Sequence, residues 1–373
     1  MLMTPMLGAA AHAAAVMAMA ANAAVAPVAH VAAQAAGGAA VETATKLSNL
    51  HAVILGLVEG ITEYLPVSST GHLIVTSSLL GLYDGGPLEN AVHDFEIIIQ
   101  GGAILAVLGL YFPRFVRMLQ GLMGKDPGGL RLLINIGIAF VPAAGLGFLP
   151  NKKIKEVLFH PVPVIIAMIA GGAFMIIVDM LLVQPRRKAA AAAAAGGGAT
   201  AGETAKAGGL DVDELTPGKA LLIGVLQIFA LIPGTSRSMM TIVGGVFAGL
   251  RPAAAAEFSF LLGMPTLLAA TGYSIYKNMK ESAATGAPNV FQTLGIGPAV
   301  LGIVVAAISA AFAVKWLVGF LNRHGLAPFG YYRLAMGALL IVLLMQGTLK
   351  TGQEQSAAQP AKPRMVPVKT PIP

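Results

Sequence analysis

The sequence predicts an all-α polytopic membrane protein with an inverted-topology repeat, each half holding one re-entrant helix–break–helix and about three transmembrane helices. Three observations lead there. The 373 residues are 56% hydrophobic and only 11% charged, with a mean hydropathy of +0.77, where a soluble domain carries about 25% charged residues. Several apolar runs reach about 20 residues, the length that crosses a hydrocarbon core as a helix. These runs also fall into two similar sets, each headed by a segment broken at a proline. The sequence lacks the short alternating strands of a membrane barrel, and its 45 Gly and 17 Met suit closely packed membrane helices.

Taken in order, residues 1–45 are Ala-rich and contain no Lys or Arg. They read as an N-terminal extension or a possible signal segment: "AANAAVA" suits cleavage, but the basic n-region is missing. Residues 46–185 form a first membrane repeat, with an interrupted segment at about 47–80 and apolar spans near 92–112, 130–150 and 161–184. Residues 186–216, containing "RRKAAAAAAAGGGATAGETAKAGG", read as a low-complexity flexible loop. Residues 217–350 form the second repeat, interrupted at about 219–250 and followed by spans near 254–275, 297–318 and 331–349. The tail 351–373 has five prolines and is expected to be disordered.

The interrupted segments align, "EYLPVSSTGH" beside "ALIPGTSRSM", with Pro66 matching Pro233 and Ser69 matching Ser236. An odd number of spans per half requires the second half to be inverted, a known membrane architecture. Arg114, Arg117, Lys125, Arg186, Arg187, Lys188, Arg323 and His324 then fall on one side, taken as cytoplasmic, while Lys152, Lys153, Lys155, Lys277 and Lys280 fall on the other. The first broken segment would enter from outside and the second from the cytoplasm. The formal charge of +7 reads as loop topology signals facing an anionic leaflet, not as nucleic-acid binding. With no cysteine, disulfides, thiolate nucleophiles and Cys-ligated metals are excluded.

The chemistry concentrates in the breaks. Glu59 and Glu63 are four apart and share a helix face. Pro66 is expected to end that helix near Leu65, leaving Ser68, Ser69 and Thr70 as N-cap candidates for a second helix with His72 in its first turn. A helix start of this kind attracts anions, phosphate above all. The second break, at Pro233 and Gly234, is followed by Thr235, Ser236, Ser238 and Thr241, and by Arg237, whose fork matches phosphate oxygens. If the halves pack together, the pocket would hold a mono- or diphosphate on Arg237 and the helix starts. A Ser or His would attack phosphorus, and a Glu would act as base or bind Mg²⁺ or Ca²⁺ with the phosphate oxygens. On a soluble helix the glutamate pair would be a solvated face; in a membrane segment an ionisable group is functional by default. Gln100, Asp94, Glu96, Asp179 and Glu257 are read as interface or packing groups.

"GLVEGITEYLPVSSTGHLIV" with "PGTSRSMMT" resembles the undecaprenyl-diphosphatase family, the bacitracin-resistance proteins, supported by "FEIIIQGGAILAV", "AAEFSFLLGMPT" and "FGYYRLAMG". The resemblance covers about residues 47–350. It implies a multi-pass enzyme of the bacterial inner membrane. Such an enzyme removes the terminal phosphate of undecaprenyl diphosphate, a polyprenyl lipid, to recycle the carrier for peptidoglycan synthesis. It further implies a divalent cation, a site open to the periplasm and a possible homodimer among membrane lipids. By motif, Glu59 and Glu63 are the family's E-x-x-x-E pair, Ser69 and His72 belong to its "SSTGH" element, and Ser236 and Arg237 are its "SR". The expected mechanism is attack by Ser69, with His72 shuttling protons, the glutamates holding the cation or activating the nucleophile, and Arg237 steadying the phosphoryl group; attack by His72 or by water stays open. Met239 stands where the family usually has Gly, which would narrow the pocket or shift the helix start. The rival reading is a lipid-phosphate transporter or flippase using the same helix-end anion site.

Overall fold

The computed structural model describes residues 47–83, 87–147, 161–195, 208–286 and 288–347. The extension 1–45, the tail 351–373, the middle of the low-complexity loop and Lys152, Lys153 and Lys155 lie outside the described residues. Among the described residues the secondary structure is helical, apart from an isolated bridge between Leu210 and Leu250.

The first half runs α1 (Asn49–Thr62), α2 (Ser69–Leu79), α3 (Pro87–Leu110), α4 (Phe112–Leu122) and α5 (Pro127–Gly147). Next, α6 (Pro161–Val178) passes through a π-helical turn at Asp179–Val183 into α7 (Gln184–Ala195). The second half runs α8 (Pro217–Gln227), a 3₁₀ turn at Ile228–Leu231, α9 (Arg237–Phe247), α10 (Pro252–Thr285), α11 (Val290–Leu294), α12 (Ile296–His324) and α13 (Ala327–Met345). Among the described residues, six helical segments are long and apolar enough to cross a membrane: Ala91–Leu110, Pro127–Gly147, Val162–Ala195, Pro252–Thr285, Ile296–His324 and Ala327–Met345. They fall where the six apolar runs of the sequence predict spans.

The loop expected at 186–216 is ordered at both of its described ends; the second holds a 3₁₀ turn at Val212–Glu214 and the Leu210–Leu250 bridge. Helix continues from Val162 to Ala195, so residues 186–195, expected as flexible loop, are helical. The Ala run has the highest intrinsic helix propensity and extends the span that precedes it.

The broken segments are hairpins of short helices packed inside the spans. α1 lies along α12 so closely that a Cβ on Gly56 would meet the Gly302 backbone, a use of small residues typical of membrane helix packing. Both ends of the α1–α2 hairpin reach one apolar cluster, where Leu47, Ala52 and Leu55 meet Leu73, Leu82, Phe95 and Val290. The α8–α9 hairpin also closes on itself, since Leu210 N donates to Gly249 O at 2.8 Å and Arg251 N to Leu210 O at 3.0 Å.

Charge marks the end of the bundle where α8 begins. Arg114 pairs with Glu257 at 2.7 Å and Asp213 at 3.1 Å, and Arg251 with Asp211 at 2.7 Å. Arg186 donates to Val246 O at 3.1 Å and Arg187 to the Arg323 carbonyl. Asp94, near the start of α3, accepts from Asn278 at 2.8 Å, close to the far end of α10. Asp179 accepts from the Leu326 N–H at 2.7 Å and so caps α13, a packing role.

Candidate active site

Each break ends in a serine with unusual backbone. Ser68 (φ 75, ψ 95) caps α2 and Ser236 (φ 74, ψ 118) caps α9; their hydroxyls accept from Gly71 N and Met239 N. Among the described residues these are the non-glycine positions with positive φ. Such backbone costs on the order of 1–3 kcal/mol each and persists where surrounding structure enforces it. The caps correct the sequence alignment: Ser68, not Ser69, corresponds to Ser236, because the second break has one more residue between its proline and its cap. Ser69 therefore corresponds to Arg237, and each is the first residue of its helix. α1 stops at Thr62 with Glu63 as C-cap, short of the expected Leu65, and the chain turns through 63–67.

Glu63 joins the two helix starts. Ser69 Oγ donates to Glu63 Oε2 at 2.7 Å, and Arg237 NH2 donates to Glu63 Oε1 at 3.1 Å. Arg237 NH1 donates to Ser259 O at 3.1 Å, and its guanidinium carbon stands 5.5 Å from the centre of the Tyr64 ring, a cation–π contact. A cavity of about 150 Å³ opens beside them, lined by Glu63, Ser68, Ser69, Thr70, Gln100, Pro233, Gly234, Ser236, Arg237 and Leu267. Its wall carries one guanidinium, four hydroxyls from the two helix starts and one carboxylate, a donor-rich set suited to a small anion.

Other expected site residues lie behind this wall. Ser238 is fully buried and donates to Leu65 O at 2.7 Å; with that proton used, the Ser236 hydroxyl 2.9 Å away donates to Ser238 Oγ. This chain of hydroxyls ties the second break to the first. Thr241, also buried, is 2.9 Å from Arg237 O and 2.6 Å from Ser259 Oγ. His72 is turned away from the cavity. Its Nδ1 donates to the Ser68 carbonyl at 2.8 Å, and its Nε2 is hydrogen-bonded to Tyr332 Oη at 2.7 Å. Met239, expected to narrow the pocket or shift the helix start, does neither: it is buried against Gly171, and α9 begins after its cap as α2 does.

Glu59 is fully buried, and neither carboxylate oxygen has a hydrogen-bond partner. Its charged neighbours are Glu63, Glu96 and Arg237. Glu63 lines the cavity and is engaged by Arg237 and Ser69, whereas Glu59 does not line it. Among the described residues no three His, Asp or Glu side chains are placed to hold a metal together. A hard cation between Glu59 and Glu63 would take the two carboxylates from the protein and its remaining oxygens from a ligand or water.

Four contributors escaped the sequence reading as site residues: Tyr64 under Arg237, Ser259 behind it, Gln100 on the cavity wall and Tyr332 on His72. The signal available for them was a polar side chain inside an apolar run.

A bundle of membrane-length helices with a donor-rich pocket at two facing helix starts defines a polytopic membrane protein built to handle an anion. Within that class the family is specific. The chain belongs to the family described as bacitracin resistance protein BacA, whose family model matches residues 52–339. Named relatives agree. It is 41% identical over 298 residues to the undecaprenyl-diphosphatase of Neisseria gonorrhoeae, covering 80% of this chain and 96% of the relative. It is 42% identical over 292 residues to that of Sorangium cellulosum (78% and 85% covered). It is also 42% identical over 298 residues to undecaprenyl-diphosphatase 2 of Rhodospirillum rubrum (80% and 96% covered).

Proposed function

We propose that this protein is an undecaprenyl-diphosphatase, hydrolysing undecaprenyl diphosphate to undecaprenyl phosphate and inorganic phosphate. The observation that carries the reading is the placement of Ser69 and Arg237 on the two oxygens of Glu63, beside the cavity. The terminal phosphate would sit on Arg237 and the donors of the two helix starts. Ser69 Oγ attacks phosphorus as the bond from phosphorus to the bridging oxygen breaks, and the serine proton passes to Glu63 Oε2. Undecaprenyl phosphate leaves, and water then releases phosphate from the serine. Arg237 supports the charge of the transferring group from one side, fixed by Tyr64 and the Ser259 carbonyl. Serine is favoured over His72 as nucleophile because both ring nitrogens of His72 are engaged outside the cavity. His72 then serves to hold the Ser68 break. Glu59 and Glu63 would hold a divalent cation, which supplies charge neutralisation for the phosphate oxygens.

The same reading makes the two hairpins re-entrant members of an inverted repeat. Supporting it, residues from both ends of the α1–α2 hairpin share one apolar cluster, and the two ends of the α8–α9 hairpin are hydrogen-bonded to each other. The end carrying Arg114, Arg117, Arg186, Arg187 and Arg323 would face the cytoplasm of the inner membrane, so that α1 enters from the periplasm.

The test is phosphate release from undecaprenyl diphosphate by purified protein in detergent, with and without EDTA. Detergent abolishes any gradient, so turnover there separates hydrolysis from transport. Cation-dependent release is expected. Bound lipid with no release by folded protein would overturn the reading.

A further inference from the structure

Arg333, on α13, is fully buried. Among the described residues its hydrogen bonds run to main-chain carbonyls and none to a carboxylate: Nε to Met168 O at 3.2 Å, NH2 to Ala167 O at 3.1 Å and to Gly234 O at 2.8 Å, and NH1 to Pro66 O at 3.5 Å. A buried cation without a counter-ion is expensive, and in a membrane more so. Something must repay its presence, and ordinary helix packing does not require it.

The carbonyls it chooses indicate what. Pro66 stands two residues before the cap Ser68, and Gly234 two residues before the cap Ser236. Arg333 thus grips the same position in both breaks and ties each to α6 through Ala167 and Met168. The planar fork is suited to this; five N–H groups in fixed directions reach acceptors on separate segments. Room for it comes from Gly171, where a Cβ would lie 2.5 Å from Arg333 NH2 and 2.9 Å from Met239 Sδ.

We propose that Arg333 is a positioning residue of the site: it staples the two breaks together through equivalent carbonyls and so sets the spacing of Ser69 and Arg237 across Glu63. Arg333 touches no cavity-lining side chain in doing so; it acts on the main chain that carries them. The inference rests on the diphosphatase reading.

The test uses full-length protein in detergent, as wild type, Arg333→Lys and Arg333→Met. Folded fraction is read by size exclusion and melting temperature, kcat and KM by phosphate release, and orthovanadate affinity by thermal shift. Orthovanadate mimics the transferring phosphoryl group. For folded variants the expected result is a kcat lower by about 100-fold, the scale of a 1 Å misplacement. KM should stay within about threefold and vanadate affinity should fall in step with kcat. Lysine should not rescue, because an ammonium group cannot span the carbonyls. Normal kcat per folded molecule in either variant would overturn the proposal, and so would loss confined to folded yield or failure of both variants to fold. If wild type releases no phosphate, the diphosphatase reading fails separately. Vanadate affinity still decides Arg333 in that case, and an affinity unchanged by substitution overturns its role.

Discussion

Ser69 and Arg237 occupy the same position in two separate helix starts, each one residue after a serine cap of unusual backbone, and they donate to opposite oxygens of one carboxylate, Glu63. The proposed nucleophile and the proposed phosphate-binding cation are thereby placed by the same local device used twice. The carboxylate between them orients both.

Ser69→Ala and Glu63→Gln should therefore both collapse turnover. Removing the base is expected to cost on the order of 10²–10⁴ in kcat, and removing the nucleophile at least as much. The check is single-turnover phosphate release with protein of verified fold. Near-normal rates for Ser69→Ala would leave water as the attacking group.

Arg237→Lys is not a conservative change here. It gives up the fork shared between Glu63 and Ser259 O, and the flat contact on Tyr64. A loss of about 10²–10³ in kcat is expected, the scale of one donor to a developing charge. Steady-state kinetics at saturating lipid measures it; a change in KM alone would place Arg237 in binding only.

Ser238→Ala probes the wall, not the cavity. It removes a buried hydroxyl that satisfies Leu65 O and receives Ser236. A stability loss of about 1–3 kcal/mol is expected, with kcat per folded molecule within about threefold. A large kcat loss at unchanged melting temperature would instead put Ser238 on the substrate.

Glu59→Gln separates a cation from a shared proton. If the two glutamates hold a metal, the variant should need at least about tenfold more Mg²⁺ or Ca²⁺ for half-maximal activity. Metal titration after EDTA treatment reads this. An unchanged titration curve would mean that Glu59 keeps a proton instead.

Acid should loosen the charged end of the bundle. The hydrogen bond from Arg117, aided by the Gly129 N–H, holds Asp126 below the usual carboxylate range. Burial pushes Asp211 up, but the Val212 N–H and Arg251 more than offset it, and it also ends low. Groups depressed in the fold contribute stability that is complete above the ordinary aspartate value of 3.8 and is lost as pH falls through the folded value. Melting temperature should therefore drop as pH goes from about 5 to 3, and less steeply for Asp126→Asn with Asp211→Asn. Equal slopes would discount both pairs.

Much of this protein was legible in its sequence because membrane spans and helix breaks are local. Length and apolarity alone mark the six spans, since a bilayer leaves a helix few alternatives. Pro66 and Pro233 with their hydroxyl runs mark the breaks, since proline ends a helix and serine starts one. The register between the breaks was not legible. Matching the prolines pairs Ser69 with Ser236, whereas the backbone pairs Ser68 with Ser236; an extra residue in a turn leaves no trace in composition.

The family, the helical class and part of the cavity lining (Glu63, Ser68, Ser69, Thr70, Ser236 and Arg237) were readable from the sequence alone. Only the tertiary structure decided which of them meet. Contacts across the 174 residues between Arg237 and Glu63, the 260 between His72 and Tyr332 and the 267 between Arg333 and Pro66 depend on how the helices pack. Helical periodicity places a side chain on its own helix face but says nothing of the face it meets. That is why His72 turns to Tyr332, Ser69 to Glu63, and Arg333 to the two breaks.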